Sequence, residues 1–275
     1  MRVLIIGGSG FLGAELARQA VAAGHETLST FATRQGSAPG VTWHALDLRD
    51  HERVESLVGD VSPHVVINTS SAHADWVVTA EGPARLAIAA ARSGSRFVHI
   101  SSDAIFSGAQ VTYEESRFPD PVTPYGAAKA AAETAIRLVH PDAAIARTSL
   151  IIGDRRSEHV RLVHDLATGV RDGVLFTDDI RCPVHVADLA AALLELASGN
   201  AHGVHHLAGA DAVSRYELGV LVAGRDGLDA SRLRAGRRAD TALPGPLDVR
   251  LDSRATQRGL RTTLRGARQF LTAQG

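Results

Sequence analysis

The sequence predicts an α/β fold, a doubly wound parallel sheet with a smaller C-terminal part beside it, and three observations carry that expectation. Val3-Leu4-Ile5-Ile6 is a short, wholly apolar run rich in branched side chains, of the kind that a parallel sheet buries on both faces. A glycine-rich stretch from Gly7 to Gly13 follows at once, and Ala14 to Val21 then has helical spacing. Apolar runs return at Val65-Val66-Ile67-Asn68 and Phe97-Val98-His99-Ile100, each preceded by a helical stretch, so strands and helices alternate along the chain.

The first strand, turn and helix come in the order that a dinucleotide phosphate requires. Gly7 permits the tight turn, Gly10 lets backbone amides approach a pyrophosphate, and Gly13 lets the helix pack closely on the sheet. Ser9, Phe11 and Leu12 stand where the helix begins and its N–H groups are free. Gly24 closes this helix, and Glu26 to Phe31 is the second strand. An NAD site would carry an acid at its end, but the residues are Thr30, Phe31, Ala32, Thr33 and Arg34. A guanidinium can chelate a 2′-phosphate, which favours NADP(H) over NAD(H); the alternative for Arg34 is a solvated charge.

Asp47 and Leu48 follow the third strand, near the adenine. Ligands of such sheets lie off the strand C-termini, which places Thr69, Ser70, Ser71, Ser101, Ser102 and Ser149 on the working edge. Further strands are expected at Ala143 to Arg147 and at Val204-His205-His206, the latter with one face buried. This gives a dinucleotide-binding Rossmann domain over 1–153, with 183–209 returning to it, and a smaller substrate-binding part over 154–182 and 210–275.

Composition narrows the partners. A chain of 275 residues, 45% hydrophobic, can bury a large core. Its 29 basic and 30 acidic residues leave a formal charge of -1, and no like-charge run suggests a nucleic acid or an anionic membrane as partner. The locally basic stretch from Arg232 to Arg238 reads as a solvated or substrate-facing loop. A single cysteine, Cys182, excludes an intramolecular disulfide and fits a reducing compartment. The opening apolar run is far shorter than the roughly 20 residues of a membrane span, and no small-residue cleavage site follows it. A cytoplasmic protein is therefore expected, and a homodimer stays open. The 13 histidines offer no pair at metal-ligand spacing beyond His205-His206, so no metal is expected.

Lys129 is the sole lysine, four positions after Tyr125 in Tyr125-Gly126-Ala127-Ala128-Lys129. Pro121 and Pro124 fit an extended approach to a helix on which Tyr125 and Lys129 share one face. Elsewhere arginine serves wherever a solvated charge suffices; an ammonium differs from it in being a compact point charge with rotatable donors. Lys129 is expected to hold a ribose and to acidify the phenol of Tyr125, while Ser102 donates to a carbonyl oxygen that receives hydride from a nicotinamide.

With these residues the chain resembles the extended short-chain dehydrogenase/reductase superfamily, and within it the dTDP-4-dehydrorhamnose reductase-like branch. The resemblance also takes in Val66-Ile67-Asn68, Glu81-Gly82-Pro83, Ser101-Ser102-Asp103-Ala104-Ile105-Phe106-Ser107-Gly108, Arg147-Thr148-Ser149, Pro183 with Asp188-Leu189-Ala190, and Asp248-Val249-Arg250-Leu251-Asp252. It implies that Ser102, Tyr125 and Lys129 are catalytic, that Ser102, Asp103 and Ser149 face the substrate, and that the substrate is a nucleotide-activated 4-keto sugar. The branch's aromatics are replaced by Ala104 and Leu150, and the 72–81 segment is shorter, so surface that would enclose a deoxythymidine-linked sugar is missing. Cys182 reads as a packed thiol and His185 as a structural or solvated residue. Two alternatives accompany the reductase: an epimerase or dehydratase of the same superfamily, which would retain NAD, and a non-catalytic NADP-binding regulatory subunit.

Overall fold

A computed structural model describes residues 1–272. Seven strands form one sheet: β1 (Arg2–Ile6), β2 (Glu26–Phe31), β3 (Val41–Ala45), β4 (Val65–Asn68), β5 (Arg96–Ser102), β6 (Ala144–Thr148) and β7 (Gly203–Leu207). All neighbours are parallel and the spatial order is 3-2-1-4-5-6-7, the doubly wound topology expected. β5 runs on through Ser101 and Ser102, beyond the apolar run that announced it, because those hydroxyl residues still pair with Arg147 and Thr148 of β6.

The alternation along β1 divides the core. Val3 and Ile5 pack with Leu12, Leu16 and Ala17 of α1 (Phe11–Ala22), and Leu4 and Ile6 pack on the opposite face with Val54 and Leu57 of α2 (His51–Val61) and Leu86 of α3 (Gly82–Arg92). All four strand residues are essentially buried, which is why the run contains no polar residue. Ala132 and Ile136 of α4 (Pro124–Val139) join the second face. His206 of β7 is buried while His205 is partly exposed, as a strand with one covered face requires. A third cluster gathers Val160 and Val163 of α5 (Glu158–Thr168), Leu218 and Val222 of α7 (Arg215–Asp226), and Phe270. Between these two helices in the chain lies α6 (Val186–Ser198), whose Leu189 and Leu193 belong to the first face of the sheet. Among the described residues no helix is long and apolar enough to cross a membrane.

One ion pair is sealed inside. Arg147 of β6 and Glu133 of α4 are 1% and 0% exposed, with Nη2 to Oε2 at 2.8 Å and Nε to Oε1 at 3.1 Å. Removing one partner strands the other charge in the core, so Glu133→Ala should lower stability by about 3–5 kcal/mol in urea unfolding.

Candidate active site

The C-terminal edge of the sheet opens into a cleft of about 1050 Å³. At one end, the turn after β1 puts Gly7 in the left-handed region at φ +79°, and a Cβ on Gly13 would lie 2.3 Å from the Gly7 carbonyl oxygen. No residue larger than glycine fits there. α1 begins at Phe11 without a side-chain cap and without an acid in its first turn, so its positive end is left to whatever enters the cleft.

At the centre, α4 presents its first turns to the end of β5. Thr123 caps the helix by accepting from the Gly126 N–H at 3.1 Å, and Pro124 fills the first position, where no amide donor is needed. A Cβ on Gly126 would lie 2.1 Å from the Ala104 carbonyl oxygen, so glycine between Tyr125 and Lys129 lets the helix press against the turn that carries Ser102 and Asp103. Lys129 is 3% exposed and its Nζ donates to the Ile100 carbonyl at 3.0 Å. Burial pulls its ammonium down to about 8, and the Glu133 charge one turn along works in the opposite direction.

The expected acidification of Tyr125 by Lys129 is not found. Burial pushes the phenol up; hydrogen bonding with Ser71 pulls it back, the Asp103 charge pushes it up, and hydrogen bonding with Ser102 pulls it down. Lys129 is not among the groups that move it; its Nζ donates to the Ile100 carbonyl. The ring of Tyr125 is instead stacked with that of His73, centroids 4.2 Å apart and planes at 23°.

Asp103 is 5% exposed and accepts from Ser149 Oγ at 2.6 Å and from Ser102 Oγ at 3.3 Å. Burial pushes its carboxyl up, against the pull of Arg181, whose Nε is 3.7 Å away. Beyond it, the buried Asp179 collects three guanidinium groups: Arg181 at 3.0 Å, Arg238 at 2.9 Å and Arg215 at 3.4 Å. Arg215 also donates to His159 Nδ1 at 3.2 Å, and burial together with that neighbouring charge pushes His159 down to about 3, leaving it a neutral acceptor. Three arginines against two aspartates leave this end of the cleft positively charged.

The family model described as the RmlD substrate binding domain matches residues 1–273. The chain belongs to this family. It is 32% identical over 287 residues to a dTDP-4-dehydrorhamnose reductase of Mycolicibacterium smegmatis, covering 98% of this chain and 84% of that protein. Among solved structures, a hypothetical dTDP-4-dehydrorhamnose reductase from Sulfolobus tokodaii superposes with a TM-score of 0.83 at 28% identity, over 96% of this chain and 97% of the other. The dTDP-4-dehydrorhamnose reductase of Bacillus anthracis, solved in complex with NADP, has a TM-score of 0.84 at 21% identity, over 98% and 96% of the two chains. The extended short-chain dehydrogenase/reductase membership and the oxidoreductase class expected from the sequence are borne out.

In this RmlD-family chain the cleft brings together Gly7, Ser9, Gly10, Phe11 and Leu12 from the first turn, Asp47 and Leu48 after β3, Thr69, Ser70 and Ser71 after β4, and Ser102, Asp103, Tyr125, Lys129 and Ser149. Gly13 lies behind the wall as a packing glycine, and Arg34 stands on the exposed loop past Ala32 and Thr33, outside the lining. Sequence reasoning missed Arg49, which pairs with Asp47 at 3.0 Å and with Asp75, and it missed His73, His159, Arg215 and Arg238. None of these stands in a motif; only the basic stretch from Arg232 to Arg238 gave a signal. Cys182 is a packed thiol, pushed up to about 12 chiefly by burial, and His185 caps α6 through Nδ1 at 3.3 Å.

A buried ammonium costs the native state more than the unfolded chain at any pH where the lysine is charged in both. The native group loses its proton near 8 and the unfolded one near 10.5, so this cost is complete below pH 8 and is relieved as pH rises between the two. Lys129→Met should therefore stabilise the protein by about 2–3 kcal/mol below pH 8. The gain should shrink as pH rises toward 10.5, as read from urea midpoints across that range.

Proposed function

We propose that the protein is an NADP(H)-dependent reductase of a nucleotide-activated 4-keto sugar, with Tyr125 as proton donor. The observation that carries this reading is the meeting of Ser102, Tyr125 and Lys129 in one cleft with an uncapped helix terminus at one end and three arginines at the other.

The residues present suit a pyridine dinucleotide. Gly7, Ser9, Gly10, Phe11 and Leu12 would hold its pyrophosphate, with Gly13 behind them letting the helix close on the turn, and the absence of a competing acid or cap leaves the helix dipole available. Asp47 and Leu48 would meet the adenine, Thr69, Ser70 and Ser71 the middle of the molecule, and Tyr125 and Lys129 the nicotinamide ribose. When bound, the nicotinamide supplies hydride. Ser102 then donates to the carbonyl oxygen and Tyr125 gives that oxygen its proton. The charged ammonium of Lys129, which is half lost at a pH of about 8, would support the ribose.

The arginine cluster and the buried Asp103 with Ser149 suit an anionic substrate whose sugar hydroxyls need fixed acceptors and donors. A nucleoside diphosphate sugar meets both demands. The seven sheet strands fall within 1–153 and 183–209, which supports assigning that part to the cofactor, while 154–182 and 210–275 supply His159, Arg181, Arg215 and Arg238 for the substrate.

The test is NADPH oxidation with dTDP-4-dehydrorhamnose as first probe. Tyr125→Phe should cut turnover by about 100-fold or more while NADPH still binds; undiminished turnover would overturn the reading. The cofactor preference has its own test. The end of β2 offers no carboxylate, and Arg49 is held by Asp47 and Asp75, which leaves Arg34 for a 2′-phosphate. Arg34→Ala should weaken NADPH binding at least about tenfold and leave NADH within about twofold. Equal losses for both cofactors would make Arg34 structural.

A further inference from the structure

The segment between β4 and α3 is tied down along its length. Asn68 Oδ1 accepts from Ser70 N at 3.0 Å and from Ser70 Oγ at 2.6 Å; Thr79 Oγ1 bonds both the N–H and the carbonyl of Ala72, at 3.1 and 2.7 Å. Asp75 accepts from Val78 N at 2.9 Å and pairs with Arg49. His73 stands between these ties, exposed on one side and stacked on the Tyr125 ring on the other. It is the only ring in contact with that phenol among the described residues.

We propose that His73 is a positioning residue that roofs the catalytic phenol, its imidazole lying ring on ring against Tyr125 so that the plane of the phenol is fixed and water is kept off one face. This rests on the reading of Tyr125 as the proton donor. Two facts beyond the stack support it. The tethers let a residue on a loop hold a fixed ring plane, which a freely moving loop could not do. The substrate-side positions Ala104 and Leu150 carry no ring, so the segment after β4 supplies the aromatic surface here. Imidazole suits the place, because its stacked face is apolar enough to exclude water while the residue as a whole stays exposed.

Covering the phenol also agrees with its ionisation. A phenolate needs water or donors around it, and burial is the largest effect acting on Tyr125. The other groups facing the phenol are Ser71, Ser102 and Asp103, while His159, backed by Arg215, is close enough to His73 to feel its charge.

Two variants separate covering from polarity: His73→Ala removes the roof, and His73→Phe keeps a planar ring without its nitrogens. The first measurement needs no substrate. The alkaline titration of the Tyr125 phenol is read at 295 nm as the difference between each protein and its Tyr125→Phe counterpart. It should move to lower pH in His73→Ala and stay at the wild-type position in His73→Phe. In turnover with NADPH and dTDP-4-dehydrorhamnose, His73→Ala should lose about tenfold or more in kcat with little change in the KM for NADPH, and His73→Phe should restore most of it. A His73→Ala titration that superimposes on wild type would overturn the proposal. So would an equal shift in His73→Phe, since the contact would then act through polarity. If Tyr125→Phe keeps its turnover, the catalytic reading falls, and the titration still decides whether His73 roofs the ring.

Discussion

A guanidinium sealed in a protein core must have its charge and its donors answered there, and the placement of the candidate site depends on how Arg147 is answered. Its Nε and Nη2 meet Glu133, its Nη1 donates to the Glu115 and Arg117 carbonyls at 3.2 Å each, and its centre lies 5.2 Å from the Phe106 ring centroid. These contacts fasten α4 to β6 and to the loop before the helix. Because Tyr125 and Lys129 stand on the preceding turns of that helix, the same pair sets how they approach the end of β5. Gly126 then permits the close contact with Ala104 that the fastening demands.

Desolvation governs the charges along the cleft. Lys129, His159 and Tyr125 are all moved chiefly by burial, each toward its neutral form. Asp103 is pushed the same way against the pull of Arg181, while Asp179 is paired with three arginines. The cleft thus combines a desolvated centre, in which the Lys129 ammonium is held down to about 8, with a cationic end. That division comes from parts of the chain as distant as Asp103 and Arg238.

Much of this architecture can be read from local pattern. Val3 to Ile6 has to be a central strand because nothing in it tolerates water; Gly7 after it takes the left-handed turn, and Gly13 in α1 lets the helix close on that turn, where a Cβ would collide with backbone. The pairing of Tyr125 with Lys129 on one helix face follows from a spacing of four, and the serines at the strand ends follow from the topology. Where local reasoning went astray was in what Lys129 does to its neighbour. Helical spacing places two side chains together, but it does not say which of them is dry or which carbonyl takes the ammonium.

The sequence by itself determined the parallel sheet, the glycine turn after its first strand and the shared helix face of Tyr125 and Lys129, because each depends on residues within a few positions of one another. Tertiary structure alone decided the rest. His73 meets Tyr125 from 52 positions away, and Arg215 and Arg238 meet Asp179 from 36 and 59 positions away. No spacing rule links such residues. Their charges and ionisation are set by what the folded chain packs around them, and burial is a property of the packed whole.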